Sequence, residues 1–497
     1  METGEIWDCG FRNADLKDEE DDALRPHDLG PWWPRSCGRY NSPMDIRFSA
    51  AKLAAKLVGT ASRALRAGGG TSLPGKVALH VDPHLLKKLA ARLSEGVILI
   101  TGTNGKTTTA RMLAGVLRAQ GHSVVHNREG ANLRSGLATA LLSSEGDVGL
   151  LEVDEATIPL VAGDLAPKAI VVTNIFRDQL DRYGELDRTA ELIGSAITAA
   201  GPATTAVLNA DDPRVAALAT GASARVIHFG LDHTDAGHYG SQRDSRDCRV
   251  CGTALDYQLY FYAHLGHYSC PACGASRPTP AITAADISSE SGEMLFQLST
   301  EDSHTKIKLP VPGLYNVYNA LAAAGAALAL GIPATEAATA LEKYRPAFGR
   351  MERVDVGGCQ ILMALVKNPT GFDQVIEAIT ANESTHSAVI AINDELADGT
   401  DVSWLWDVNI ERLADLPLLV ASGIRGADMA VRLKYAGADL NGIIVERELR
   451  RAIERAISGV ETEGAVAVIC TYTALFEARR ALTRLADLKE FWRHEAI

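Results

Sequence analysis

The chain has 497 residues, a length that predicts about three domains at roughly 150 residues each. Hydrophobic residues make up 46% and charged residues 22%, which is typical of globular proteins and excludes fibrous or wholly disordered classes. The net charge of −13 argues against a general nucleic-acid binder. Because the sequence has neither a long apolar run nor a leader-like start, we expect a cytoplasmic protein.

The first 43 residues differ from the rest in composition. They contain the acidic run DEEDD at 18–22, isolated Trp and Cys residues, and little apolar periodicity. This pattern predicts a disordered acidic tail. A more ordinary sequence opens at Met44, so translation starting there, with 1–43 not translated, is an equally open interpretation.

A basic amphipathic helix is predicted over 46–66. Leu53, Leu57 and Ala61 recur at four-residue spacing, with Lys52 and Lys56 among them. We favour packing of this apolar face on the protein's own core. The alternative is a peripheral contact with an anionic membrane.

An alternation of strands and helices follows, which predicts parallel sheets covered by helices. The predicted strands lie near 97–100, 123–125, 148–153, 169–173 and 206–208, and a second series lies near 360–364, 388–391, 418–421 and 465–469. The two series predict a central α/β domain over 44–345 and a smaller α/β C-terminal domain over 346–497.

A phosphate-binding loop is predicted between the first strand and a helical stretch at 110–119. Its residues are Gly102, Thr103, Asn104, Gly105, Lys106, Thr107 and Thr108. Backbone N–H groups and a helix N-terminus at such a loop can cradle a triphosphate, with the Lys side chain on the phosphates and the Thr hydroxyl on Mg²⁺. The strict GxxxxGK[ST] pattern fails because Ile100 stands in place of its first glycine.

The loop TGTNGKTTT resembles that of the Mur ligase and folylpolyglutamate synthase superfamily. The resemblance implies that Glu152 binds Mg²⁺, that Asn316 lies near the adenine, and that Arg350 reaches the nucleotide from the entry of the C-terminal domain. A hard cation that bridges phosphates takes oxygen ligands, which suits Glu152. The implied chemistry is ATP-dependent activation of a carboxylate as an acyl phosphate, followed by attack of an amine.

Two further segments, Thr173-Asn174 with Asp178 and the stretch 209–212, also match that superfamily. One feature of the sequence departs from the superfamily pattern. Many Mur ligases carry a carbamylated Lys roughly a dozen residues after the position of Asp181, whereas 182–195 contains no Lys. The second metal site of those enzymes is therefore not predicted here.

Two CxxC pairs predict a structural zinc ribbon at about 246–276. They are Cys248 with Cys251 and Cys270 with Cys273, separated by a spacing that is typical of Cys₄ ribbons. Four thiolates complete a tetrahedron without an open position, so we expect a structural metal rather than a catalytic one. His264 and His267 lie between the pairs and are interpreted as bystanders.

A Cys₄ insertion in the central domain is similar to that of the MurT family, and the segments 127–132, 176–185, 367–372 and 393–407 look like MurT segments. This resemblance implies amidation of the α-carboxylate of D-Glu in the lipid II stem peptide to D-isoglutamine. The reaction would consume ATP and take ammonia from a GatD-type glutamine amidotransferase partner. It would take place at the inner face of the plasma membrane, as a step of cell-wall synthesis. Asp401 matches the Asp that completes the glutaminase's Cys-His-Asp triad.

From the residues alone, the acidic run at 394–407 is equally typical of a solvated loop, with Asp398 and Asp407 as rivals of Asp401. Two other functions stay open at this point. One is a stand-alone ligase of the Mur or folylpolyglutamate type that adds an amino acid. The other is a non-catalytic ATP-binding zinc scaffold.

Overall fold

A computed structural model describes most of the chain: residues 45–64, 72–127, 131–177, 186–232, 247–290, 292–346, 349–381, 384–460 and 464–486. The predicted tail at 1–43 lies outside the described residues, as do Asp178 and the glycine run at 68–70.

The larger part of the fold is a nine-stranded sheet. Its strands are β1 Gly96–Thr101, β2 Val124–His126, β3 Val148–Glu152, β4 Ala169–Val172, β5 Thr205–Asn209, β6 Arg225–Leu231, β9 Ile282–Glu290, β10 Glu293–Ser299 and β11 His304–Leu309, with β7 and β8 forming a separate hairpin, Asp256–Tyr262 and Leu265–Ser269. The strand order is β11-β10-β9-β6-β5-β4-β1-β3-β2. Pairing is parallel from β2 to β9, and β10 and β11 add an antiparallel edge that the sequence did not predict.

Helices cover both faces of this sheet, which the near-continuous apolar strands require. Their bounds are Ile46–Ala64, Leu73–Val81, Leu85–Ala90, Lys106–Ala119, Arg134–Ser143, Ile158–Leu165, Leu186–Ala200, Pro213–Ala217, Leu314–Ala329 and Ala334–Leu341. Two apolar clusters lie on opposite faces of the sheet, one under the helix Lys106–Ala119 and one under the helices near the N-terminus.

A second, six-stranded sheet follows in the order β12-β13-β17-β14-β15-β16. Its strands are β12 Arg350–Val356, β13 Cys359–Leu365, β14 Thr385–Ala391, β15 Leu418–Ser422, β16 Ile443–Val445 and β17 Ala465–Cys470. The helices Pro369–Thr380, Gly426–Tyr435, Leu449–Ser458 and Tyr472–Ala486 cover it on two faces, each with its own apolar cluster. The predicted α/β architecture is confirmed, with β12 as an antiparallel edge.

The helix Ile46–Ala64 packs with a different face from the one favoured by the sequence. Ala51 and Ala55 are buried, whereas Leu53 and Leu57 are 59% and 63% exposed. The interpretation that the leucines face the protein's own core is therefore wrong. Small alanines allow the helix Leu73–Val81 to approach closely, and this leaves the leucines outside. Among the described residues, no helix combines the length and the apolar character needed to cross a membrane.

Candidate functional site

The loop between β1 and the helix Lys106–Ala119 depends on two glycines. Gly102 and Gly105 have φ values of 117° and 88°, in the range that favours glycine. A Cβ at either position would collide with a side-chain oxygen, that of Thr173 or that of Asn319. The helix begins at Lys106 rather than after Thr109, and its first turn carries no acidic residue that would compete with an anion.

Side chains that follow β4 hold this loop in place. The Asn104 N–H donates to the Asn174 side chain at 2.9 Å. In return the Thr173 hydroxyl and the Asn174 amide donate to the Asn104 carbonyl at 2.7 and 3.1 Å. The Thr103 hydroxyl is bonded to the backbone of Phe176. These hydrogen bonds hold the loop in one conformation.

The Lys106 ammonium group is nearly buried and lies over its own loop. It donates to the Gly102 carbonyl and, at 2.7 Å, to the Glu155 carboxylate. Glu155 therefore compensates a cation that would otherwise be costly to bury. Sequence reasoning did not single out Glu155, which stands three residues after the expected metal ligand.

Thr107 and Glu152 lie side by side, as a shared cation site requires. The Thr107 hydroxyl donates to Glu152 Oε2 at 2.7 Å, and His126 Nε2 lies 3.1 Å from Oε1. The Asn127 side chain binds both the N–H and the C=O of Glu152 at 2.8 Å. Thr107 and His126 thus orient the carboxylate, and Asn127 fixes its backbone. The carboxylate oxygens with the Thr hydroxyl fit the preference of Mg²⁺ for oxygen ligands.

A cleft of about 810 Å³, including its open mouth, lies between this loop and the second sheet. Asn316 and Arg350 line it together with Asn104, Gly105 and Thr108, so the structure brings these predicted residues together. Phe348, two residues before Arg350 in the sequence, lies outside the described residues.

One amide pair connects the loop directly to the second sheet. Asn104 and Asn368 exchange two side-chain hydrogen bonds of 3.3 and 2.9 Å. The Asn368 side chain also accepts from the Gly371 N–H and so caps the helix Pro369–Thr380. An Asn before Pro is a typical helix start, but its partner 264 residues away leaves no local signal in the sequence.

The four predicted cysteines form one cluster. Their sulfur atoms all lie within 4.8 Å of one another, and the Cys248–Cys273 and Cys251–Cys270 pairs are 3.5 Å apart. Tetrahedral zinc with Zn–S bonds of about 2.3 Å places sulfurs about 3.8 Å apart, so the cluster fits the ion. Hydrogen bonds from Thr253 lower the pKa of the Cys251 thiol to about 6, which favours the thiolate that binds metal.

The β7–β8 hairpin carried by this ribbon forms part of the cleft. Tyr262, at the end of β7, lines the cleft, and its ring lies 5.9 Å from Phe176 and 5.7 Å from Tyr318. His264 is fully buried 3.3 Å from Asp212 and is not a member of the cysteine cluster. Burial would raise the pKa of Asp212, but His264 and backbone N–H groups lower it overall.

The three candidate acids of the C-terminal part differ in their surroundings. Asp401 is exposed, and hydrogen bonds from the Ser403 side chain and from the Ser403 N–H, the latter at 2.8 Å, lower the pKa of the Asp401 carboxyl. Asp398 is buried and accepts from the N–H and hydroxyl of Thr473, so it is committed to the start of the helix Tyr472–Ala486. Asp407 is paired with Arg177 at 3.0 Å.

Comparisons with known proteins agree with this architecture. Residues 100–258 match the family model of the Mur ligase middle domain, and 365–475 match that of the MurT ligase C-terminal domain. A solved pseudomurein peptide ligase type C from Methanothermus fervidus superposes with a TM-score of 0.64 at 26% identity, covering 80% of each chain. Fold and matched domains define a ligase of the Mur class.

Two relatives show which family of Mur-class ligases this chain resembles. The MurT subunit of lipid II isoglutaminyl synthase (glutamine-hydrolyzing) from Staphylococcus aureus is 34% identical over 436 residues, 86% of this chain and 96% of that protein. The subunit of the same name from Streptococcus pneumoniae is 33% identical over 431 residues, 84% and 93% of the two chains. The chain belongs to the MurT family.

Proposed function

We propose that this chain is the synthetase subunit that amidates the α-carboxylate of D-Glu in the lipid II stem peptide to D-isoglutamine. The observation that carries the proposal is the near end-to-end match to MurT subunits, in a chain whose phosphate loop opens onto a cleft shared with the MurT-type sheet. The names of those relatives give both the lipid II substrate and the glutamine-hydrolysing complex.

ATP is the nucleotide that we infer for the cleft. Its phosphates would meet the backbone N–H groups of the loop and the Lys106 ammonium group, which would exchange Glu155 for the phosphates. Asn316 and Arg350 line the same cleft, where Asn316 would lie near the adenine and Arg350 would reach the nucleotide. Thr107 and Glu152 would hold Mg²⁺, which supplies charge neutralisation at the phosphates.

The reaction would proceed in two displacements. The substrate carboxylate attacks the γ-phosphorus, the bond to the β-phosphate oxygen breaks, and ADP leaves. Ammonia then attacks the acyl phosphate carbon, inorganic phosphate leaves, and the amide loses the extra proton. Since phosphoryl transfer needs positioning and charge stabilisation above all, the rigid loop and Lys106 are the groups that we expect to dominate the rate.

Ammonia would come from a GatD-type glutaminase partner. We propose that the exposed Asp401 carboxylate orients a histidine of that partner and stabilises its imidazolium, as the third member of a Cys-His-Asp triad. Its exposure leaves the carboxylate accessible to another chain, whereas Asp398 is buried within its own.

We also propose that the cysteine cluster binds zinc and that the chain divides into domains at 44–345 and 346–497. The enzyme would act at the inner face of the plasma membrane. The last point rests on the chemistry of the reaction, because the substrate is linked to a membrane lipid and ATP is supplied on the cytoplasmic side.

The test is amidation of lipid II by the purified chain with Mg-ATP and ammonium, followed by mass spectrometry. Conversion of one carboxyl group to a carboxamide is expected, with one ADP formed for each amide. Hydrolysis of ATP only when a free amino acid is supplied would instead support a ligase that adds amino acids.

A further inference from the structure

The helix Ile46–Ala64 has a second apolar face that nothing in the described residues covers. Ala51 and Ala55 point inward, while Ile46, Leu53 and Leu57 are 78%, 59% and 63% exposed. These three positions are seven and four residues apart, so they share one stripe of the helix, here called the leucine face. Exposure of such an apolar stripe to water is unfavourable unless a binding partner covers it.

The sequence segment that contains the leucine face has a charge opposite to that of the whole chain. Residues 46–93 contain nine Lys and Arg but only one acid, a net charge of +8 in a chain whose total is −13. That acid, Asp82, is buried and already paired with Lys88 at 2.7 Å. Lys52 and Lys56 are exposed beside the leucine face.

We infer that the leucine face docks on the surface of an anionic lipid bilayer, with the helix lying in the plane of the interface. Leucines that enter the headgroup boundary beside lysines that contact anionic lipid are the two elements of interfacial helix binding. A second copy of this chain is a poorer occupant, because the Lys52 and Lys56 side chains beside its leucine face would repel those of the first copy. The inference deepens the proposed function, whose substrate is anchored in such a bilayer.

Sedimentation of the full chain with vesicles tests the inference directly. We expect binding to vesicles of phosphatidylglycerol and phosphatidylcholine, weakening as salt rises, and little binding to phosphatidylcholine alone. Lys52→Glu with Lys56→Glu should weaken binding more than tenfold, because each basic residue near an anionic surface contributes about a fivefold gain. Leu53→Asp with Leu57→Asp should weaken it at every salt concentration.

Matched controls lie on other parts of the chain. Lys306→Glu with Lys434→Glu makes the same change in net charge at exposed positions, and Leu396→Asp with Leu440→Asp introduces the same polar groups at exposed leucines. Both control pairs should bind vesicles as the unmodified chain does. Thermal melting of every variant checks that it is folded.

Binding is measured without ATP or substrate, so failure of the amidation proposal would leave this readout intact. Absence of binding to the anionic vesicles, or equal loss in the control pairs, would overturn the inference. So would a change of oligomeric state in Leu53→Asp with Leu57→Asp without a change in vesicle binding, because the leucine face would then be a contact between copies.

Discussion

Asp401 and Asp398 are three residues apart but make opposite kinds of contact. Hydrogen bonds from Ser403 lower the pKa of the Asp401 carboxyl, so this exposed group is ionised at neutral pH. We predict that Asp401→Asn lowers glutamine-driven amidation by about 100-fold or more, because an amide orients a histidine wrongly and cannot stabilise its imidazolium. Ammonium-driven amidation should be unchanged.

Asp398→Asn is the matched comparison for that prediction. It removes a charge from the start of a helix and weakens two hydrogen bonds to Thr473, so we expect a loss of about 1 kcal/mol in the free energy of unfolding. Equal losses of glutamine-driven and ammonium-driven activity in Asp401→Asn would show that Asp401 acts on the synthetase half instead.

His126 is expected to act through Glu152. Its ring binds the carboxylate oxygen that Thr107 leaves open, in a fully packed setting. Since loss of such outer partners typically costs 10–100-fold in metal affinity, His126→Ala should raise the Mg²⁺ concentration for half-maximal activity by about tenfold or more. A Mg²⁺ titration at saturating ATP measures this.

His122→Ala serves as the control, because His122 makes a similar contact with Asp147 on the partly exposed side of the same region. An unchanged Mg²⁺ requirement in His126→Ala, at a lower maximal rate, would contradict the positioning role.

The residue scale also shows where sequence reasoning ends. Lys106 and Thr107 were predicted from a strand-loop-helix motif, and Glu152 from the family resemblance. The structure brings Thr107 and Glu152 into contact, whereas Lys106 pairs with Glu155. Glu155 and His126 were missed because a lone acid and a lone histidine beside buried strands have no pattern of their own. Their roles depend on pairing across the sheet, which sequence spacing does not encode.

At the scale of elements, the β7–β8 hairpin links the cysteine cluster to the cleft. Cys248 and Cys270 anchor a small apolar cluster at one end of the ribbon, and Tyr262 lines the cleft at the other. We predict that removal of the zinc proposed for the cluster, by chelation or by Cys270→Ser, lowers the melting temperature and weakens the affinity for a non-hydrolysable ATP analogue at least several-fold.

Cys359→Ser is the control for that experiment, because Cys359 lies in β13 away from the cluster. Metal analysis, thermal melting and analogue titration give three separate readouts. Unaltered nucleotide affinity in a protein shown to lack metal would mean that the hairpin stays in place without it.

Secondary-structure elements were predicted correctly where hydrophobic runs are long. The prediction failed where tertiary packing determines which face of an element is buried. The strands near 97–100 and 465–469 are wholly buried, so their apolar runs were sufficient. The helix Ile46–Ala64 was predicted with the wrong face inward, because both of its faces are apolar and the alanine face fits the neighbouring helix more closely. The edge strands β10 and β11 alternate in burial, and this weaker pattern was not recognised.

At the scale of the whole molecule, the site is formed by parts that are far apart in sequence. The cleft takes its loop from one sheet, Tyr262 from the ribbon and Arg350 from the first strand of the second sheet. The Asn104–Asn368 amide pair joins the two sides. The family resemblance predicted the nucleotide residues on both sides, whereas this contact between them could be found only from the structure.

The central claim is that one chain activates the carboxylate and a partner supplies the ammonia. Its most direct test is lipid II amidation by the chain with its glutaminase partner, driven by glutamine or by ammonium, in Lys106→Ala and Asp401→Asn. We predict that Lys106→Ala loses both reactions, by at least about 100-fold, because the charge that meets the phosphates is gone. Asp401→Asn should lose only the glutamine reaction. Retention of ammonium-driven amidation by Lys106→Ala would contradict the account.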